Sequence, residues 1–199
     1  MANSNRPSGL SPVRYLNGAP WTGGGRVFCI PDSDDTNAYA IGDPMTIAGG
    51  ADANGVATVV LATAGGVMTG VIVGMGGAKY GAGYYDPANL NTIIILATKS
   101  RDYYVLVVDD PMVIFKVQEI GTGTPLAAAD VGLNANLVAG ANNGFVSGWL
   151  LTNTTEATTA TLDVKLLGLS QEPDNAFGAF AKWLVTINNH SYRAGVTGV

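Results

Sequence analysis

From Val27 onward the chain alternates short apolar runs with turn-forming residues, the pattern of an all-β domain built from many short strands. The runs predict strands over Val27 to Ile30, Tyr39 to Ile47, Val56 to Thr63, Val67 to Val73, Thr92 to Thr98 and Tyr103 to Val108. Further strands are predicted over Val113 to Glu119, Leu133 to Ala139, Phe145 to Leu151, Ala160 to Leu169 and Trp183 to Asn188. Between them stand Asp52-Ala53-Asn54-Gly55, Asp109-Asp110-Pro111 and Asn142-Asn143-Gly144, which favour turns through αL tolerance, side-chain bonding to the backbone or a fixed φ. No helix longer than a turn or two is predicted.

Met112 to Glu119 and Thr161 to Leu166 exchange polar and apolar residues with period 2 near one end, as in a sheet with one covered and one wet face. A β-sandwich, a jelly roll or a small barrel would each satisfy this pattern. Ala53 to Ala78 carries no charge and is long enough to span a bilayer as a helix. Its paired glycines and its Val, Ile and Thr content instead predict two strands joined by a turn.

Met1 to Gly25 is different in kind. Pro7, Pro12, Pro20 and five glycines separate isolated apolar residues, so the stretch cannot build a core of its own. It reads as an extended N-terminal arm, residues 1–25, on a single β-rich domain, residues 26–199. Tyr15, Leu16 and Trp21 are its anchors, expected to dock on a neighbouring subunit. Met1 to Pro7 has no apolar run of the kind a secretory leader uses, and no export is expected.

Composition narrows the partners. Hydrophobic residues make up 47% of the chain and charged ones 13%, against about 25% charge in an average soluble chain. Charged side chains are the groups depleted from buried interface centres, because each must shed its hydration on association. Burial against neighbours is therefore expected. The net charge of −5 and the scattering of ten Lys and Arg residues argue against direct nucleic-acid binding, which needs concentrated cations.

Candidate chemistry is sparse. The single histidine, His190, would have to serve any Ser-His-Asp or Cys-His arrangement, and no Gly-x-Ser-x-Gly elbow occurs. The single cysteine, Cys29, lies in an apolar run and reads as a buried small hydrophobe. One His and one Cys do not make a zinc site. Asp32-Ser33-Asp34-Asp35 offers hard oxygens but lacks the Gly and distal Glu of an EF-hand loop, so it reads as a solvated turn. Gly74 to Gly81 lacks the Gly-Lys-Ser/Thr of a phosphate loop. Tyr80, Tyr84 and Tyr85 beside it make a contact loop the better reading, since Tyr gives large contact area at low entropic cost. No cofactor, metal or enzymatic activity is expected.

Several segments carry a resemblance. Glu172 to Arg193, Asp109-Asp110-Pro111 followed by Val113 to Glu119, and Gly42-Asp43-Pro44-Met45 together resemble small structural proteins of tailed double-stranded DNA bacteriophages. The resemblance implies a capsid cement, or decoration, protein on the outer surface of the virion. Its partner would be the major capsid protein, and it would bind as a homo-oligomer, a trimer being favoured and a dimer possible. Tyr15, Leu16, Trp21, Tyr80, Tyr84 and Tyr85 are the expected contact residues. The competing reading is a receptor- or carbohydrate-binding module of a phage tail or fibre, using the same Tyr and Asn groups.

Overall fold

The computed structural model describes residues 3–76 and 93–193. The chain is all-β: helix is confined, among the described residues, to one 3₁₀ turn at Ala128–Asp130. The strands are β1 (Ser11–Tyr15), β2 (Arg26–Ile30), β3 (Tyr39–Ala40), β4 (Pro44–Ala51), β5 (Ala57–Leu61), β6 (Gly70–Met75) and β7 (Ile94–Ile95). There follow β8 (Tyr103–Val108), β9 (Val113–Gln118), β10 (Asn134–Ala135), β11 (Leu137–Val138), β12 (Leu150–Leu151), β13 (Val164–Leu169) and β14 (Lys182–Ile187).

Two units share these strands. One is a closed five-stranded barrel of order β2-β5-β4-β6-β8, the other a five-stranded sheet of order β1-β9-β14-β13-β10. The barrel closes where β2 meets β5 in parallel at Cys29 and Thr58, while its other pairs are antiparallel. Phe28, Ile30, Met45, Val59, Ile72, Val105 and Val107 fill its interior, capped by Tyr39 and Ile95 from the small β3–β7 ladder. At Gly70 a Cβ would lie 2.2 Å from the Val108 carbonyl oxygen, so β6 can approach β8 only with glycine there.

The sheet turns Val113, Phe115 and Val117 of β9, Val164 and Leu166 of β13, and Trp183, Val185 and Ile187 of β14 into a second core. The same core takes Val71 from β6 and Val108 from β8, so the barrel wall supplies its opposite layer. Strands buried on both faces lose their alternation, which is why Val71-Ile72-Val73 and Val105-Leu106-Val107-Val108 read as unbroken apolar runs. The uncharged Ala53 to Ala78 stretch supplies β5 and β6, with a turn closed by the Gly66 amide on the Thr63 carbonyl at 2.8 Å. No helix among the described residues is long and apolar enough to cross a membrane.

Residues 3–25 lie along their own domain. β1 pairs with β9 as the edge of the sheet, and Leu10 is buried in the sheet core at 1% exposure. Further back, the Arg6 amide donates to Gln118 Oε1 at 2.7 Å, and Asn3 brackets the 176–179 backbone with three hydrogen bonds. The physical reason is that β9 would otherwise present an unpaired edge, and Leu10, Tyr15 and Trp21 find apolar cover on the chain that carries them. An edge strand tolerates Pro12, and a bulge follows it between Pro12 and Arg14.

Several predicted strands are shorter or divided, two of them for evident reasons of local chemistry. Tyr39 to Ile47 divides at Gly42, where φ is +95° and an added Cβ would meet the Ser8 carbonyl oxygen at 2.2 Å. Asp43 then accepts the Ala40 amide at 2.7 Å and turns the chain. Ala160 to Leu169 becomes strand only at Val164, because Asp163 spends its carboxylate on the Gly65 and Leu137 amides at 3.0 and 2.8 Å.

Three buried carboxylates therefore serve as joints. Besides Asp43 and Asp163, Glu119 is fully buried and accepts from the Leu126 amide at 2.9 Å, Asn153 Nδ2 at 3.0 Å and Trp183 Nε1 at 3.0 Å. Burial pushes all three above the ordinary carboxylate range, outweighing the donors that favour the charged form. A raised native value means that the folded state holds the proton more tightly than the unfolded one. Each contribution to stability is then present in acid and lost as pH rises through that raised value.

Two predictions follow from these contacts. Leu10→Ala lowers unfolding free energy by about 3 kcal/mol in urea titrations, and removing residues 1–16 exposes β9 and lowers it further. Glu119→Gln turns one acceptor into a donor facing donors and costs roughly 1–3 kcal/mol. From the sign above, that cost is larger at pH 4 than at pH 7, which urea midpoints at the two values will read.

Candidate functional site

The first strand positions exposed apolar residues near the predicted anchors. Tyr15 closes a tight turn, its amide donating to the Ala19 carbonyl at 2.9 Å while its own carbonyl accepts the Gly18 amide at 2.9 Å. The turn returns the chain beside β1, and Trp21 hydrogen bonds to the Val13 carbonyl at 3.4 Å. Trp21 lies partly buried against the sheet core, its indole Nε1 donating to the Gly24 carbonyl at 3.1 Å. Tyr15 is likewise packed on the core. Of the three predicted anchors, Leu16 alone is exposed, at 39%.

Leu16 has company that the sequence did not single out. Its amide donates to the Met112 carbonyl at 2.8 Å, and Met112 is 49% exposed in the turn between β8 and β9. Val13, at the bulge of β1, is 41% exposed. The signal for Met112 was a large apolar residue directly after Asp109-Asp110-Pro111, a turn whose side chains face solvent by default. The signal for Val13 was absent, because only the bulge takes it out of register.

A shallow apolar groove of about 280 Å³ opens beside Trp21, walled by Leu10, Pro12, Ile41, Ile72 and Val73. It joins the N-terminal segment to the barrel wall. Tyr15 and Trp21 are packed on the sheet core, and Leu16, Val13 and Met112 expose apolar atoms nearby. Tyr80, Tyr84 and Tyr85 lie outside the described residues.

Other residues weighed for chemistry are occupied. Cys29 is fully buried on β2, and burial pushes its thiol up to about 12, so it stays protonated at neutral pH. His190 is 2% exposed, and burial, with Arg193 nearby, brings it down to about 4. The imidazole is therefore enclosed and neutral at pH 7.

In the Asp32–Asp35 turn, Asp34 faces inward and is already satisfied. It accepts Thr36 Oγ1 at 3.2 Å, Asn37 Nδ2 at 3.1 Å and the Tyr39 hydroxyl. Burial alone would raise the Asp34 value, but the Tyr39 bond and the charge of Lys99 outweigh it and hold the carboxylate below its usual range. Lys99 donates to the carbonyls of Asp34, Asn37 at 2.8 Å and Ala97 at 3.0 Å, with its ammonium 5.0 Å from the centre of the Tyr39 ring. An open groove of about 590 Å³ beside this cluster is lined by both polar and apolar groups, among them Ser33, Asn37, Thr58, Val60 and Leu61. Among the described residues, no group of three or more His, Cys, Asp or Glu side chains is arranged to hold a metal ion.

Compared with protein-family models, curated proteins and solved structures, the chain matches none.

Proposed function

We propose that this chain is a capsid cement protein of a tailed double-stranded DNA bacteriophage, binding the outer surface of an icosahedral shell and bridging major capsid proteins. The observation that carries the reading is the exposed apolar strip of Val13, Leu16 and Met112, set on a rigid footing in a chain with only 13% charged residues. Scattered apolar residues on a surface need no explanation, but Leu16 and Met112, just beyond the end of β1 and just before β9, are held side by side by a backbone hydrogen bond.

Such a role asks for surfaces rather than a reaction centre. Contact free energy adds to the stability of whatever holds the bound protein, and symmetric repetition multiplies a modest interface many times over. A closed barrel backed by a sheet suits that work, because it offers few open edges and deforms little under load. Within this reading the protein acts as a homo-oligomer, with a trimer on three-fold positions preferred to a dimer. The first strand contributes a contact face to that assembly while remaining part of its own fold.

The test uses purified full-length protein and shells from which it has been stripped. Leu16→Asp with Met112→Asp alters exposed positions only, so the variant keeps its β-sheet circular dichroism and its thermal transition. Its affinity for the shell falls by at least about tenfold, the scale set by losing one interface hot spot. Decoration by the double variant at wild-type occupancy overturns the assignment of this face. A virion carrying only a handful of copies, together with binding on a glycan array, overturns the cement reading in favour of an adsorption module.

A further inference from the structure

After β14 the chain leaves the sheet and crosses to the barrel. Residues Asn188 to Arg193 make this crossing, and His190 sits at its centre. The Met68 amide donates to the Asn189 carbonyl at 2.9 Å, and the Ser191 amide donates to the Met68 carbonyl at 2.8 Å. These two bonds flank His190 and fasten it against the approach to β6. Ser191 Oγ lies 2.8 Å from Thr69 Oγ1, which itself accepts the Ile47 amide from β4 at 2.9 Å. On the other side, Arg26 of β2 donates to the Tyr192 hydroxyl and pairs with Asp109 at the end of β8. The short segment thus touches several strands of the barrel while remaining continuous with the sheet.

His190 holds this segment through an acceptor. Its Nδ1 accepts the Tyr192 amide at 3.0 Å, which places the proton of the neutral ring on Nε2. Nε2 is buried near the Asp109 carbonyl without forming a hydrogen bond of good geometry. Protonation would put an N–H on Nδ1, directly facing the N–H of Tyr192. The bond would be lost and replaced by repulsion, and a second cation would be enclosed beside Arg193.

The charged and titratable groups around the ring come from three directions. Arg193 and Tyr192 belong to its own segment, Asp109 and Asp110 stand at the end of β8, and Arg26 reaches in from β2. The two carboxylates favour a positive ring, but Asp109 is already engaged by Arg26. Arg193 is tied to its place by the Ile187 carbonyl and by Thr186 Oγ1 at 3.4 Å, so it cannot swing far from the imidazole. The Met68–Thr69 stretch contributes no ionisable side chain.

We propose that Asn188–Arg193 is an acid-released clasp between sheet and barrel, closed by neutral His190 and opened when that ring gains a proton. The sign is fixed by linkage. A native value of about 4, below the ordinary histidine value, means that the closed clasp contributes stability above pH 6.5 and loses it as pH falls towards 4. The clasp is independent of any capsid role, since it concerns how the chain's two units are held together.

The experiment is amide exchange followed by NMR on the full chain, with intrinsic rates corrected for pH. In the native protein, protection of the Met68, Ser191 and Tyr192 amides falls by roughly 100-fold between pH 6.5 and pH 4. Val185, in the middle of the sheet, keeps its protection over the same range, and neutralisation restores the others. His190→Asn retains a side-chain acceptor that does not titrate, so protection of Met68 and Ser191 becomes flat with pH. If the variant does not fold, the imidazole resonances of native His190 supply the second measurement, and their midpoint must coincide with the pH at which the fall in Met68 and Ser191 protection levels off. Loss of those amides only in step with Val185, an unchanged pH response in His190→Asn, or titration of His190 without any loss would each overturn the clasp.

Discussion

The fold depends on one pair of strands that must be buried twice. β6 and β8 send Ile72, Val105 and Val107 into the barrel and Val71 and Val108 into the sheet core, so neither unit can be completed without the other. At about 25 cal/mol per Å² of apolar surface removed from water, a fully buried Val or Ile contributes roughly 1.5–3 kcal/mol. This wall concentrates several such contributions in two adjacent strands. Its close packing explains the glycine at position 70, where the β8 backbone leaves no room for a side chain. It also explains why these strands carry no charge at all.

Buried carboxylates sit where irregular backbone from different elements converges. Asp163 reaches from the start of β13 to the Gly65 amide, between β5 and β6, and to the Leu137 amide at β11. Glu119 gathers a loop amide, an asparagine and the Trp183 indole at the end of β9. A carboxylate can accept several N–H groups at once, which suits places where irregular backbone from different units converges. The cost is burial of a charge, which the donors offset only in part, so each carboxyl group holds its proton above the ordinary carboxylate range. The fold accordingly carries opposing pH responses, with buried carboxylates favouring mild acid and buried His190 favouring neutrality.

Much of this was legible in the sequence and some was not, for identifiable reasons. The class was legible because periodic apolar runs and turn residues agreed, as at Val113 to Glu119 and Asp109-Asp110-Pro111. Cys29 could be read as core from its neighbours alone. The fate of residues 1–25 was not legible, because composition describes how little the segment can bury by itself and says nothing of the unpaired β9 edge that receives it. Asp43, Glu119 and Asp163 were invisible as joints for a related reason: their partners are mostly backbone amides, and backbone amides leave no trace in residue identity. The contact strip was half legible. Leu16 stood out as an apolar residue in a polar segment, whereas Val13 became exposed only through a bulge that no periodicity predicts.

The low charge of the chain takes on a more specific meaning once the fold is known. A small barrel joined to a sheet leaves most strands with a neighbour and most apolar residues with a core, so depletion of charge is not needed to build the interior. It must reflect the outside. There the apolar atoms of Leu16 and Met112 are displayed by backbone that is pinned at both ends, through the Leu16 amide and the Tyr15 turn. Holding such atoms rigid lowers the entropy lost on binding, which is how a small contact becomes a useful one. The first strand completes the sheet and displays the strip through a single arrangement: the pairing with β9 that extends the sheet also fixes the exposed residues in place.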